Sequence, residues 1–288
     1  MDVAVRLLNG LIMIGMPIVL GIYLARRTGQ HWKLFLVGVV LFVASQVLHI
    51  PFNLVVLNPI LEQLGFGDGG LDAGLLVGAL LLGLSAGLFE EITRWLGLRY
   101  WIKEARSWNS ALMYGAGWGG IEAILLGLVV LWALVQALLY QQGALQGLIP
   151  PEQLELVDTQ FAAYWETPLF LNLLGAVERS FALMLHLSLS VMVMRVFTHS
   201  NRLWLVAAIA WHAFVDAVAV IAVTQIGAVA TEGIVAIMGL ISLAIIFRLK
   251  EANPAEEERP RPPSPKLEPK PKPVQVTEEK LDKSRYTS

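Results

Sequence analysis

Nine ionisable residues stand out because they lie within apolar runs of the chain: Glu90, Glu91, Arg94, Glu122, Glu178, Arg179, His186, His212 and Asp216. A charged side chain at the centre of a bilayer costs about 2.5–3.5 kcal/mol on insertion scales, so such a set needs partners or a purpose. The residue types are carboxylates and imidazoles, with no cysteine and no evident nucleophilic serine, and they suit an activated water. A glutamate beside a histidine can take a proton from water, and a second histidine or polar side chain can hold the tetrahedral oxyanion. The same types allow a second arrangement, in which two histidines and a glutamate ligate zinc and another glutamate is the base. The His-Glu-x-x-His spacing of familiar zinc proteases does not occur in the sequence.

Helical spacing says which of these groups can meet. Glu90 and Arg94 are four apart and share a face, so Arg94 is expected to neutralise Glu90. His212 and Asp216 have the same spacing, and Asp216 is expected to hold one imidazole nitrogen and fix the tautomer of the other. Arg179 and His186 are seven apart and also share a face, whereas Glu178 is turned about 100° from Arg179. Gly115 with Gly119, and Gly83 with Gly87, make small-xxx-small surfaces that permit close helix approach just before Glu122 and Glu90.

The elements that position these residues are membrane spans. The chain has 288 residues, 56% of them hydrophobic and only 15% charged. Soluble domains are nearer 45–50% apolar. The expected fold is all-α, a polytopic bundle of about seven transmembrane helices at 3–25, 34–57, 71–98, 109–140, 168–197, 203–224 and 230–249. The first run lacks a basic leading region and ends in Arg26-Arg27, so it reads as a span and not as a cleavable signal. The basic residues fall in alternate loops: Arg26, Arg27 and Lys33, then Arg99, Lys103 and Arg106, then Arg195 and Arg202, then Arg248 and Lys250. The positive-inside rule therefore puts the N-terminus outside and the C-terminus in the cytoplasm of a multi-pass plasma-membrane protein. A net charge of −2 excludes nucleic acid as a partner. The expected transmembrane domain is 1–250. Residues 251–288, rich in Pro, Glu and Lys, are expected to be a disordered cytoplasmic tail. The loop near 141–166 is expected to carry a short surface helix that starts at Pro150-Pro151.

Counting depth at 1.5 Å per residue from the nearest basic residue puts Glu91 roughly 12 Å in, His186 roughly 14 Å and His212 roughly 15 Å. Three helices thus bring a carboxylate and two imidazoles to one level. Glu122 and Glu178 come out deeper, at roughly 24 to 26 Å, and are expected either to form a second layer or to line a site open to water from above. The site is expected to open towards the cytoplasmic half. His31, His49 and His199 are read as outside the chemistry: the first and last lie in basic loops, and His49 precedes Pro51 at a kink.

In chain order the motifs are Glu90-Glu91-x-x-Arg94, Gly119-x-x-Glu122-Ala123, Glu178-Arg179 with His186, and His212-x-x-x-Asp216. This ordered set resembles the YhfC-like intramembrane proteases, grouped with the PrsW proteases and the type II CAAX prenyl endopeptidases. The resemblance covers spans three to six. It implies that Glu90 is the general base, that His186 helps bind the water, and that His212 with Asp216 stabilises the oxyanion. Glu91 and Arg94 would be support, with Glu122, Glu178 and Arg179 around them. Arg94 stands three residues beyond Glu91, where the CAAX endopeptidases usually have four, which favours the YhfC and PrsW side.

The expected function is therefore an intramembrane endopeptidase acting on a membrane-anchored protein or peptide within the lipid bilayer. It is expected to need no cofactor, with zinc as the alternative. A reading from a different class is a proton-coupled transporter, in which the same Glu, His and Asp residues form a relay. Such a transporter would more often show inverted repeats, and no convincing repeat is found.

Overall fold

The computed structural model describes residues 2–65 and 73–250. The expected tail and the first two residues of the third expected span lie outside them. The described chain is helical throughout its long elements, as the apolar runs require: in lipid a backbone must satisfy its own hydrogen bonds. Helix α1 is Asp2–Thr28, α2 is Trp32–Gln63 and α3 is Ala73–Trp101. Helix α4 is Trp108–Gln141, α5 is Leu154–Glu166 and α6 is Leu174–Thr198. Together with Leu203–Arg248, these include six helices long and apolar enough to cross a membrane.

The last of the six makes two passes. Leu203–Arg248 is interrupted at Gly227, whose φ of 76° and ψ of 169° lie far from helical values. Trp211 Nε1 donates to Ser242 Oγ at 3.1 Å. Along one straight helix those residues would stand roughly 46 Å apart. The segment therefore folds back at Gly227 into two antiparallel arms, α7 (203–226) and α8 (228–248). A positive φ of this kind is cheap only for glycine. The seven expected spans are thus present, the last two joined at a single residue.

Local sequence accounts for several ends and bends. Ser107 caps α4, its Oγ accepting from the Ser110 N–H at 3.2 Å. Helix α2 contains Pro51 and passes through a π-helical turn at Asn53–Leu57, the kink expected there. Pro151–Gln153 forms a tight turn that leads into α5, the expected surface helix. Arg6 ties that helix down, donating to Tyr164 O at 2.5 Å and to Asn172 Oδ1 at 2.7 Å.

Packing runs in a ring: α2 on α3, α3 on α7, α7 and α8 on α6, α6 on α4, and α4 on α2, with α1 against the outside of α4. Large apolar side chains such as Val19, Val47, Val129 and Ile237 are exposed on the outer surface, while Glu90, Glu91, Arg94, His186 and His212 are buried. This inside-out distribution is what a lipid solvent selects. Glycines set the tightest contacts. A Cβ on Gly83 would come within 2.4 Å of Ala213 O, and one on Gly119 within 2.9 Å of the His186 Cβ. These contacts draw α3 onto α7 and α4 onto α6, which brings the polar residues of four helices within bonding distance.

Candidate active site

The nine ionisable residues form one connected network. Asp216 Oδ2 lies 3.5 Å from His212 Nε2, and His212 Nδ1 lies 2.8 Å from Glu91 Oε1. Glu91 Oε2 accepts from Arg94 at 2.9 Å, and a second Arg94 nitrogen is 3.1 Å from His186 Nδ1. His186 Nε2 lies 2.7 Å from Glu122 Oε2, and Glu122 Oε1 accepts from Arg179 at 2.7 Å. Arg179 also pairs with Glu178 at the network's end. Glu90 joins from the side, its Oε2 4.0 Å from His186 Nδ1.

Two expected pairings change. Arg94 is bound to Glu91, three residues away, and not to Glu90. Glu122 does not form a separate deeper layer, because it is bonded directly to His186. The expected pairing of His212 with Asp216 is present, but the shorter contact of that imidazole is to Glu91.

Glu90 is held instead by two residues that spacing did not single out. Gln46 Nε2 donates to Glu90 Oε1 and Trp118 Nε1 donates to Glu90 Oε2, both at 2.9 Å. The Trp118 ring also lies under the Arg94 guanidinium, 4.4 Å from its centroid. Gln46 left a trace in the sequence as the one amide of the second apolar run before Asn53. Trp118 left none beyond being one of nine tryptophans. His49, read as outside the chemistry, sits in a buried polar cluster with Ser85 and Asn53, each contact at 3.0 Å.

Donor and acceptor chemistry assigns the histidine protons. Arginine cannot accept a hydrogen bond, so His186 Nδ1 accepts from Arg94 and the His186 proton sits on Nε2, donating to Glu122. Both nitrogens of His186 are thereby engaged. His212 donates from Nδ1 to Glu91, which turns Nε2 towards Asp216 and the adjoining cavity.

That cavity has a volume of about 130 Å³. It is lined by the polar Glu90, Glu122, His186, His212 and Asp216 and by the apolar Phe181, Val215 and Met238. Glu178 and Arg179 lie at the end remote from the basic loops, where the Glu178 side chain is 42% exposed. The cavity therefore extends into the half of the bundle away from the basic loops, and the expected opening towards the cytoplasmic half is not what the lining shows. Catalytic-type groups lie beside an apolar recess, the usual composition of a small-molecule or peptide site.

Residues 12–239 match the family described as YhfC intramembrane metalloprotease. The chain belongs to the YhfC family. It is 30% identical over 256 residues to the uncharacterized membrane protein YhfC of Bacillus subtilis (strain 168), a match that covers 84% of this chain and 94% of that protein. No solved structure matches. The YhfC match spans all four motifs, from Glu90 to Asp216, and the chain is a multi-pass membrane protein.

The family's description bears on the metal. Glu90, Glu91 and His212 are all buried, and each offers a ligand atom within 4.8 Å of the others. Two carboxylates and an imidazole are suitable donors for zinc. The network also carries five carboxylates against two guanidiniums, an excess of negative charge that a divalent cation would offset. The residues present fit such an ion, and the expectation of a site that needs no cofactor finds no support here.

Proposed function

We propose that this chain is an intramembrane endopeptidase of the plasma membrane that hydrolyses peptide bonds of membrane-anchored substrates with water activated at Glu90. The observation that carries the reading is the environment of that carboxylate. It is 6% exposed, faces the cavity, and is fixed by two N–H donors, with His212 and Asp216 across from it. A water in the cavity gives its proton to Glu90 as its oxygen bonds to the scissile carbonyl carbon. His212, carrying a proton on each nitrogen between Glu91 and Asp216, donates from Nε2 to the oxyanion while the two carboxylates offset its imidazolium charge, and the C–N bond then breaks as the amine takes the proton from Glu90. Arg94 and Glu91 orient His212 and His186, and His186 with Arg179 holds Glu122. Kinship with the PrsW and CAAX peptidases is part of the same reading and rests on motif order.

A metal form of the same site is the second reading, favoured by the family's description and by the donor group just described. Glu90, Glu91 and His212 would hold the ion, which when bound polarises a carbonyl and acidifies water. With Glu90 so engaged, Asp216 is the cavity carboxylate beside His212 left to accept a proton. The test of the peptidase reading is cleavage of a membrane-anchored reporter by the wild-type chain, Glu90→Gln and His212→Ala. Loss in both variants with normal expression supports it, and normal cleavage by both sinks it.

A further inference from the structure

Helix α8 has one face on the cavity and the other on the outer surface. Its inward residues Val235, Met238 and Gly239 line the cavity. Its outward residues Ile237, Leu240 and Ile241 are exposed at 60%, 56% and 44%. The helix is fastened at one end. Trp211 bonds Ser242, Trp108 Nε1 donates to Ile246 O at 2.9 Å, and Arg195 donates to Leu249 O at 3.1 Å. All three ties lie beyond Gly239 towards the basic loops. Towards Gly227, residues 223–230 are exposed one after another, and Thr231 is the first buried residue after the turn.

At the boundary between the fastened and the loose part, Phe181 of α6 sits in a notch at Gly239. A Cβ added to Gly239 would lie 2.6–2.7 Å from the Phe181 side chain. Phe181 is itself part of the cavity lining. Its ring thus closes the seam between α6 and α8 at the level of the cavity.

We infer that Phe181, seated at Gly239, is the specificity-determining side chain of a lateral entrance between α6 and α8, and that it must be displaced for a membrane-embedded substrate segment to reach the cavity. The purpose of this entrance rests on the peptidase reading, but the entrance itself can be tested without catalysis. A seam sealed by one apolar ring and walled by a helix tied at one end opens to lipid-borne chains before it opens to soluble ones. It therefore selects an apolar segment presented from within the bilayer.

The chain has no cysteine, so a single Val215→Cys reports entry into the cavity from a position that is 7% exposed. The full-length variant in liposomes would be labelled with a bilayer-soluble maleimide and, separately, with a membrane-impermeant sulfonated maleimide. Phe181→Ala is expected to speed labelling by the bilayer-soluble reagent several-fold and to leave the impermeant reagent's rate unchanged. Gly239→Ala, whose new methyl displaces the ring, is expected to act in the same direction. Phe181→Trp, which keeps the notch filled, is expected to give no acceleration. A single cysteine at Ser188, fully buried and outside the cavity lining, that stays unlabelled by both reagents in every background shows that the variants are folded. If Phe181→Ala and Gly239→Ala leave the bilayer-soluble rate unchanged, or speed both reagents alike, the lateral entrance is wrong. A chain that shows the expected labelling but cleaves no substrate would overturn the peptidase reading and leave the entrance standing.

Discussion

Arg94 donates to Glu91 at 2.9 Å while Glu90, its neighbour in sequence, lies on another face with different donors. The two adjacent carboxylates are therefore unequal. Glu91 is fully buried and neutralised by a fully buried guanidinium, as a structural pair must be. Arg94→Leu would leave the Glu91 carboxylate unpaired and His186 Nδ1 without its donor. Breaking a buried pair by removing one partner costs about 3–5 kcal/mol. The expected outcome is a sharply lower unfolding midpoint in detergent, with part of it regained in Glu91→Gln/Arg94→Leu. A single variant as stable as the wild type would remove Arg94 from the framework.

Glu90 is expected to behave in the opposite way. Glu90→Gln keeps the shape and one hydrogen-bond acceptor but loses the base, so cleavage of a membrane-anchored reporter should fall about 100- to 10,000-fold with the unfolding midpoint little changed. Glu91→Gln should lower the midpoint more than Glu90→Gln does. If the two variants show the reverse pattern, the roles of the two glutamates are exchanged.

Trp118 extends this argument to a residue with no charge. Trp118→Phe removes the indole N–H from Glu90 Oε2 while keeping an aromatic face towards Arg94. A hydrogen bond to a charged group contributes about 1.5–3 kcal/mol, so cleavage should drop roughly ten- to a hundredfold. Gln46→Ala removes the other donor and is expected to act in the same direction. Unchanged cleavage in both would mean that the carboxylate is held by something else.

The spans and the ionisable residues that join in one network could be read from the sequence because both are written in polarity. A charge inside an apolar run stands out, and one basic cluster at each alternate loop counts the passes. Depth counting put Glu91, His186 and His212 at one level, and their side chains do join through Arg94. What spacing could not give was rotation between helices. Glu90 and Arg94 are compatible at four residues apart, but Glu91 at three is equally compatible, and only the approach of α6 and α7 decides between them. Glu122 looked deeper because depth was counted from a distant basic residue along the 34-residue α4, and the tight crossing at Gly119 brings it to His186. Gln46 shows only as a lone uncharged amide in an apolar run and Trp118 not at all, so a reading of charges marks neither as the clamp on Glu90.

Gly119 is itself a sensitive position. Its missing Cβ would sit 2.9 Å from both Cβ and Cδ2 of His186. Gly119→Ala must push His186 away and stretch its bond to Glu122 or to Arg94. Overpacking of this kind costs about 1–3 kcal/mol. The expected result is a chain that still inserts and stays monodisperse but has a lower midpoint and a marked loss of cleavage. Gly78→Ala, at a glycine with no neighbour within 4 Å, is the matched control and should change neither.

The metal question has its own measurement, because the two forms of the site assign different work to the same carboxylates. If Glu90, Glu91 and His212 hold a divalent ion, the purified chain should carry close to one equivalent by elemental analysis, and His212→Ala should lose it. Exhaustive chelation should then stop cleavage, and returning the metal should restore it. Asp216→Asn should in that case cut cleavage strongly while leaving the metal content intact, since Asp216 lies beside His212 and outside the donor group. In the form without metal, chelation has no effect and Asp216→Asn costs only the support it gives to His212. A strong loss of cleavage in Asp216→Asn with the metal retained therefore marks one form, and a small loss in a chain without metal marks the other. A chain that cleaves after chelation and contains no metal assigns the chemistry to Glu90 as base.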